Sequence, residues 1–457
     1  MFSRRPGFRF NRGRVSAQSG GGILPLGDSI TRGAGATGGG WHSRIKDVAG
    51  LLSVSAPVTV GALDKGNSKH HGDTGALIAQ IETNWTLGSA DVNEVSGRGL
   101  RPNQVVYLGG TNDLPSRTAA QMVTDASSLI SQIVSDRPSM PLYVLSLIPR
   151  TDDTYDTQIQ AFNYTESSGG LKALVDAQST CRWVDVYPII VTPDDLNDGI
   201  HPDDSGYDRL ATHIYWCMAA NGDIGWNPGS LSPLTWVSLA IPGYTATAAP
   251  NQGTLGGSFT HGTIPATQTA NCWDFDNNDL MDFSGAASAH NCLHDGTGST
   301  WWMAFNKSTS GETDTLISTS TAGDANVGMY ARGNGSDTLD LKFGNGTLAT
   351  ALTIGTSILG THYIVVRYDE GQSGDTLSVR LDGVEIYGDS PSISPVATDA
   401  DGVLRYGSIQ GGSARFEGQI AEPGVVASWL SGADLTNLEN YLSAVAGGMI
   451  GGTALSA

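Results

Sequence analysis

Between Ile23 and Ala220, short strand-like runs alternate with helix-like ones, and this alternation restricts the fold more than any other feature of the chain. The strand-like runs are Ile23–Leu26, Val58–Val60, Val105–Leu108, Leu142–Ser146 and Trp183–Val186. The helix-like ones are Ser43–Leu52, Ala76–Trp85, Ala119–Ser135, Ser168–Ala177 and Ser205–Ala219. Such alternation predicts a parallel sheet with helices on both faces. In such a sheet, chemistry gathers at the carboxyl ends of the strands.

Three polar segments stand where those ends fall. Leu26-Gly27-Asp28-Ser29 closes the first run, and its glycine permits a tight turn that lifts Ser29 out of the sheet. A serine hydroxyl needs a base to become a nucleophile. Asp198-Gly199-Ile200-His201-Pro202 offers one: a carboxylate three residues before a histidine can hold one ring nitrogen and leave the other to face a serine. Gly109-Gly110-Thr111-Asn112-Asp113 follows the third run, and the Asn112 amide suits an oxyanion donor. Gly75, in His71-Gly72-Asp73-Thr74-Gly75-Ala76, can supply a second donor through its backbone N–H, and the Ser29 amide a third. Each segment alone also fits a bland reading: a polar turn, a solvated loop histidine, or one of 60 glycines. Their order and spacing favour ester hydrolysis.

These blocks resemble the SGNH, or GDSL-type, hydrolases over about Ile23 to Ala220. Ser29 matches that family's first-block serine, Gly75 the second-block glycine, Asn112 the third-block asparagine, and Asp198 with His201 the fifth-block pair. Gly39-Gly40-Trp41-His42-Ser43-Arg44, His70–Ile81 and Trp183-Val184-Asp185-Val186-Tyr187 resemble the branch of acetylxylan esterases and other carbohydrate deacetylases. That branch often carries an aromatic residue after the second-block glycine, where this chain has Ala76. The resemblance implies a three-layer, flavodoxin-like α/β domain. It also implies catalysis by Ser29, Asp198 and His201, with oxyanion donors from Ser29, Gly75 and Asn112.

After Cys217 the texture changes. Residues 221–250 read as an exposed linker with few core contacts across it, and residues 251–457 as a β-sandwich. Its strand candidates are Trp301–Phe305, Thr315–Ser318, Val327–Ala331, Thr338–Phe343, Tyr363–Tyr368, Leu377–Leu381 and Ala414–Val425, closed by a helix over Asp434–Ala444. Trp273-Asp274-Phe275-Asp276, Val379-Arg380-Leu381-Asp382-Gly383 and Phe416–Glu422 resemble the laminin-G and concanavalin-like jelly rolls. Such a domain implies docking or glycan binding. Trp301, Trp302 and Trp429 are candidates to stack on sugar rings, with core packing as the alternative.

A formal net charge of −20 argues against nucleic acid as a partner. No apolar run reaches the roughly 18–20 residues that span a bilayer. Residues 1–22, with Arg4, Arg5, Arg9, Arg12 and Arg14, read as a flexible basic arm lacking the apolar core of a secretory signal. A virion-associated protein reconciles that arm with the two domains, and an extracellular protein whose start is clipped is the equal alternative. No cofactor or metal is expected, Asp276-Asn277-Asn278-Asp279 reading as a solvated turn and His70 and His71 as the rim of the site. Cys181 with Cys217, and Cys272 with Cys292, leave disulfides and buried thiols both open. The expected activity is removal of acetyl esters from polysaccharide. The alternatives are a virion structural or receptor-binding protein with an accessory or vestigial esterase domain, and a lipase or thioesterase of the same family.

Overall fold

The computed structural model describes residues 21–450 except 54, 62, 66–67, 89–100, 167–168, 242–247, 262–266, 277–278, 322–325, 348 and 410–413. The basic arm lies almost wholly outside them. The N-terminal part is an α/β sheet and the C-terminal part an antiparallel β-sandwich.

The first sheet has β1 (Gly21–Gly27), β2 (Leu63–Lys65), β3 (Ser68–Gly72), β4 (Arg101–Leu108), β5 (Leu142–Leu145) and β6 (Cys181–Val184), in the order β2-β3-β1-β4-β5-β6. All but β2 run parallel. The central strands are apolar runs buried on both faces: every residue from Val105 to Leu108 and from Leu142 to Val144 is inaccessible. The helices are α1 (Ser29–Arg32), α2 (Trp41–Leu51), α3 (Ile78–Gly88), α4 (Ala119–Asp136), α5 (Asp156–Gln160), α6 (Gly170–Asp176) and α7 (Asp204–Ala220). A capping box starts α4: Thr118 Oγ1 accepts from the Gln121 amide at 3.3 Å, and the Gln121 side chain accepts from the Thr118 amide at 2.9 Å.

One strand expectation is corrected. Val58–Val60 makes only an isolated bridge, Thr59 with Ile23, and the strand beside β1 is the polar β3. The order therefore reverses at β1: the chain passes from it to β3 on one side, and later to β4, β5 and β6 on the other. That reversal opens a crevice at the carboxyl ends of β1, β3 and β4. The register pairs Gly27 with both Gly72 and Leu108, so the three ends lie side by side.

A short β7 (Thr235–Trp236) leads into the sandwich. Its first sheet contains β10 (Thr267–Thr269), β11 (Cys272–Phe275), β13 (Ser299–Lys307), β18 (Gly360–Tyr368), β19 (Leu377–Leu381), β20 (Val384–Asp389) and β22 (Gly418–Val426), with β7 paired to β22. The second contains β8 (Ala248–Pro250), β9 (Ser258–His261), β12 (Met281–Phe283), β14 (Asp314–Ser318), β15 (Gly328–Gly333), β16 (Thr338–Gly344), β17 (Ala349–Ser357) and β21 (Arg405–Tyr406). Helix α8 (Gly432–Gly447) closes the chain.

The middle strands of the first of these sheets, β22, β13 and β18, are buried on both faces. Along β13, Trp301, Met303 and Phe305 enter the core between the sheets, while Trp302 and Ala304 face the α/β unit. Beside β13 the same split separates Ile364 and Val366 from Val365. Trp301 and Trp302 are therefore core residues and not sugar platforms. Trp429 is half-buried, with the Arg367 guanidinium 4.5 Å from its ring centre.

The predicted exposed linker is also corrected. Trp236, Val237, Leu239 and Ala240 are buried, and one continuous apolar cluster joins Trp216 and Met218 of α7 to Trp302, Val365, Ala421, Leu438 and Tyr441. Helix α7 is buried on every side from Leu210 to Ala220 because that stretch packs between the two units. Cys181, Cys217, Cys272 and Cys292 are buried free thiols.

Candidate active site

Ser29 opens α1 directly after β1. Gly27 makes the turn possible, because a Cβ there would run into the Leu108 carbonyl oxygen. Asp28 caps the helix: its Oδ1 accepts from the Ile30 amide at 3.0 Å. Thr31 Oγ1 donates to Leu108 O at 3.0 Å and ties the same turn to β4. Ser29 is 4% exposed, so its hydroxyl is aimed and nearly enclosed. The cap is costly in charge. Burial pushes the Asp28 carboxyl up to about 6 against the pull of the Ile30 amide.

His201 faces Ser29 across the crevice, its Nε2 2.9 Å from Ser29 Oγ. Its Nδ1 lies 2.8 Å from Asp198 Oδ2. Asp198 Oδ1 accepts from the amides of His201 at 2.8 Å and Ile200 at 3.1 Å, which fixes carboxylate and ring in one small loop. The loop is closed by Asn197 N–H donating to His201 O at 2.9 Å and by Thr151 N–H donating to Gly199 O at 3.0 Å. Burial would raise the Asp198 carboxyl, but the His201 amide, the His201 ring and the Ile200 amide hold it below the ordinary aspartate value. With Nδ1–H donated to Asp198, Nε2 presents a lone pair to the serine hydroxyl. Tyr207 on α7 anchors the loop above α1, its hydroxyl donating to Ile30 O at 3.0 Å or Ala34 O at 2.9 Å.

Gly75 sits in the turn after β3 with φ +77°, a conformation that favours glycine. Asn112 follows β4, and its Nδ2 donates to Ala76 O at 3.1 Å, keeping one N–H in reserve. Among the described residues the amides of Ser29 and Gly75 have no hydrogen-bond partner. The three candidate oxyanion donors thus follow three adjacent strands, β3, β1 and β4. Asp113 Oδ2 accepts from the Ile78 amide at 3.0 Å and fastens the start of α3 to the Asn112 loop, and burial raises its carboxyl to about 6.

Sequence reasoning passed over Asp28, Asp113 and Tyr207. The first two adjoin Ser29 and Asn112, but their burial depends on tertiary packing. His70, expected at the rim of the site, lies inside instead. That ring is buried against His42 with centroids 4.9 Å apart, and its Nδ1 accepts from the Gly72 amide at 3.0 Å, so it is not at the rim. Among the described residues no cluster of three or more His, Cys, Asp or Glu side chains is placed to hold a metal ion. No helix there is long and apolar enough to cross a membrane.

The fold and this geometry define an α/β protein with a Ser–His–Asp hydrogen-bonded row, fused to a β-sandwich. No protein-family model matches the chain. Among curated proteins it is similar to a multidomain esterase of Ruminococcus flavefaciens, 23% identical over 271 residues, which cover 55% of this chain and 34% of that protein. The chain thus spans about a third of that relative's length. Among solved structures it is similar to a family 3 carbohydrate esterase of Clostridium thermocellum, at 23% identity and TM-score 0.35, over 44% of this chain and 94% of that one. It is also similar to a Trypanosoma rangeli sialidase, at 12% identity and TM-score 0.37, over 54% of this chain and 39% of that one.

Proposed function

We propose that this chain is a serine carboxylic ester hydrolase that removes O-acetyl groups from polysaccharide. The observation that carries the reading is the unbroken row Ser29 Oγ, His201 Nε2 and Nδ1, Asp198 Oδ2, with separations of 2.9 and 2.8 Å. Ser29 attacks the ester carbonyl as His201 takes its proton. Asp198 keeps the ring in the productive tautomer and stabilises the imidazolium. The tetrahedral oxyanion is held by the Ser29 and Gly75 amides and the Asn112 side chain. His201 returns the proton to the leaving alcohol, and water, activated by the same ring, frees the acid.

The curated relative's name, a multidomain esterase, agrees with this chemistry. The sandwich serves docking or glycan binding in this proposal. A series of p-nitrophenyl esters from acetyl to octanoyl tests the acyl preference. Acetyl should be cleaved fastest, and a preference for octanoyl would leave a lipase or thioesterase in its place.

A further inference from the structure

Next to the Ser29 element runs a groove of about 410 Å³, within the size range of small-molecule sites. One wall is the turn after β3, from Asp73 to Ala76, and the other is the outer face of α3 at Gln80, Thr83 and Asn84. These helical positions share a face by their spacing. The turn is fastened to the serine element twice: Asp73 N–H donates to Gly27 O at 3.1 Å, and Arg32 donates to Thr74 Oγ1 at 2.6 Å. Above Gly75 the space is open, since a Cβ there would meet nothing within 4 Å. Gly75, whose amide is a proposed oxyanion donor, is thus part of the groove's lining.

Its lining says what it holds. Ala76 is the one apolar side chain there, far too little for a long acyl chain. Gln80 uses its Oε1 on the Leu77 amide at 2.9 Å, which leaves its NH₂ as a donor. Thr83 donates its hydroxyl to Ala79 O at 2.9 Å, which leaves its oxygen as an acceptor. Asn84 spends Nδ2 on Asp73, which leaves Oδ1 as an acceptor. A mixed row of donors and acceptors matches hydroxyl groups, which are both. Asp73 adds negative charge to the wall and disfavours an acidic sugar.

We infer that this groove seats the neutral sugar unit that carries the ester, with Gln80 and Thr83 as the side chains that select it. The inference rests on the esterase reading of Ser29 and adds the leaving-group side of the site. It is also consistent with Ala76, since a groove that recognises hydroxyls by hydrogen bonds does not need a stacking ring at that position.

The test compares acetate release from two neutral esters, acetylated methyl β-xyloside and ethyl acetate, in the full chain. Gln80→Leu combined with Thr83→Val should lower kcat/KM for the xyloside ester by at least about tenfold and leave ethyl acetate within about twofold. Thr83→Trp, which fills the groove from an exposed helix position, should do the same, and matched thermal midpoints establish that both variants fold. Parallel loss on both esters, or no change on either, would overturn the groove assignment while the Ser29 reading stands. Wild-type protein that prefers ethyl acetate to the xyloside ester also overturns it. Wild-type protein that cleaves neither ester defeats the esterase reading itself and the groove with it.

Discussion

Glu422 of β22 accepts a 3.2 Å hydrogen bond from the Trp216 indole on α7, joining the sandwich to the α/β unit through a carboxylate that is 1% exposed. Its other oxygen accepts from the Trp236 indole at 2.7 Å. Near it, His213 Nδ1 lies 2.9 Å from Gly448 O and His213 Nε2 lies 3.2 Å from Asn271 Nδ2. Polar and apolar contacts alike cross the seam, so the core of the α/β unit runs on into the sandwich, which keeps a second core between its own sheets.

A chain ending at Gly225 should therefore fail to give a stable, soluble hydrolase. It would strip cover from Trp216, whose truncation to alanine in an intact core costs about 3–5 kcal/mol, against a total stability of about 5–15 kcal/mol. Circular dichroism and thermal unfolding of the truncated chain check this. A cooperative transition near that of the full chain would show that the seam is dispensable.

The same carboxylate makes stability depend on pH. Burial pushes Glu422 up from 4.5 to about 7, despite the hydrogen bonds it accepts. Between those values the folded state keeps a proton that the unfolded chain has released, so this group's contribution to stability falls as pH rises through the window. His42 and His213 work in the opposite direction. Burial lowers them to about 3 and about 4, so their contribution is lost as pH falls below the ordinary histidine value. Comparing Glu422→Gln with wild type isolates the first effect. The variant's melting temperature relative to wild type should be higher at pH 8 than at pH 5 by at least about 2 °C. A constant difference would mean that Glu422 does not titrate there.

Asp28 should act on Ser29 through the cap. Asp28→Ala should cost about 1 kcal/mol of stability and lower kcat roughly tenfold. Asp28→Asn, which keeps an oxygen for the Ile30 amide, should retain most of both. Unchanged kcat in Asp28→Ala would show that the cap does not hold the serine in place.

Asn112→Ala should lower kcat by about a hundredfold or more, because the donor acts on charge that develops during attack. The effect should fall mainly on kcat, and a change confined to KM would mark Asn112 as a ground-state contact.

The α/β half was legible because its central strands are continuous apolar runs, as Val105–Leu108 shows. β3 was not, since Ser-Lys-His-His-Gly has no apolar pattern, and the apolar Val58–Val60 nearby drew the assignment instead. In the sandwich, the unread β17 and β20 end their sheets' pairing orders, and β20 is largely exposed, so little burial constrains its sequence. Ser29, Asp198 and His201 were legible as candidates from their spacing, and the structure brings them into one hydrogen-bonded row. The geometry between Ser29 and His201 was not, for it depends on a loop closed by Asn197 and Thr151 and anchored by Tyr207. The seam was hidden for another reason. The Gly-, Pro- and Ser-containing text of 221–250 looks solvated, and only the packed structure reveals what its tryptophans touch.

Ser29 and His201, 2.9 Å apart, should act as one unit. Turnover of an acetyl ester by Ser29→Ala, His201→Ala and the double variant tests it most directly. Each single change should lower kcat by roughly three orders of magnitude or more, and the double change should add little. Near-native turnover by Ser29→Ala, or losses that multiply in the double variant, would contradict it.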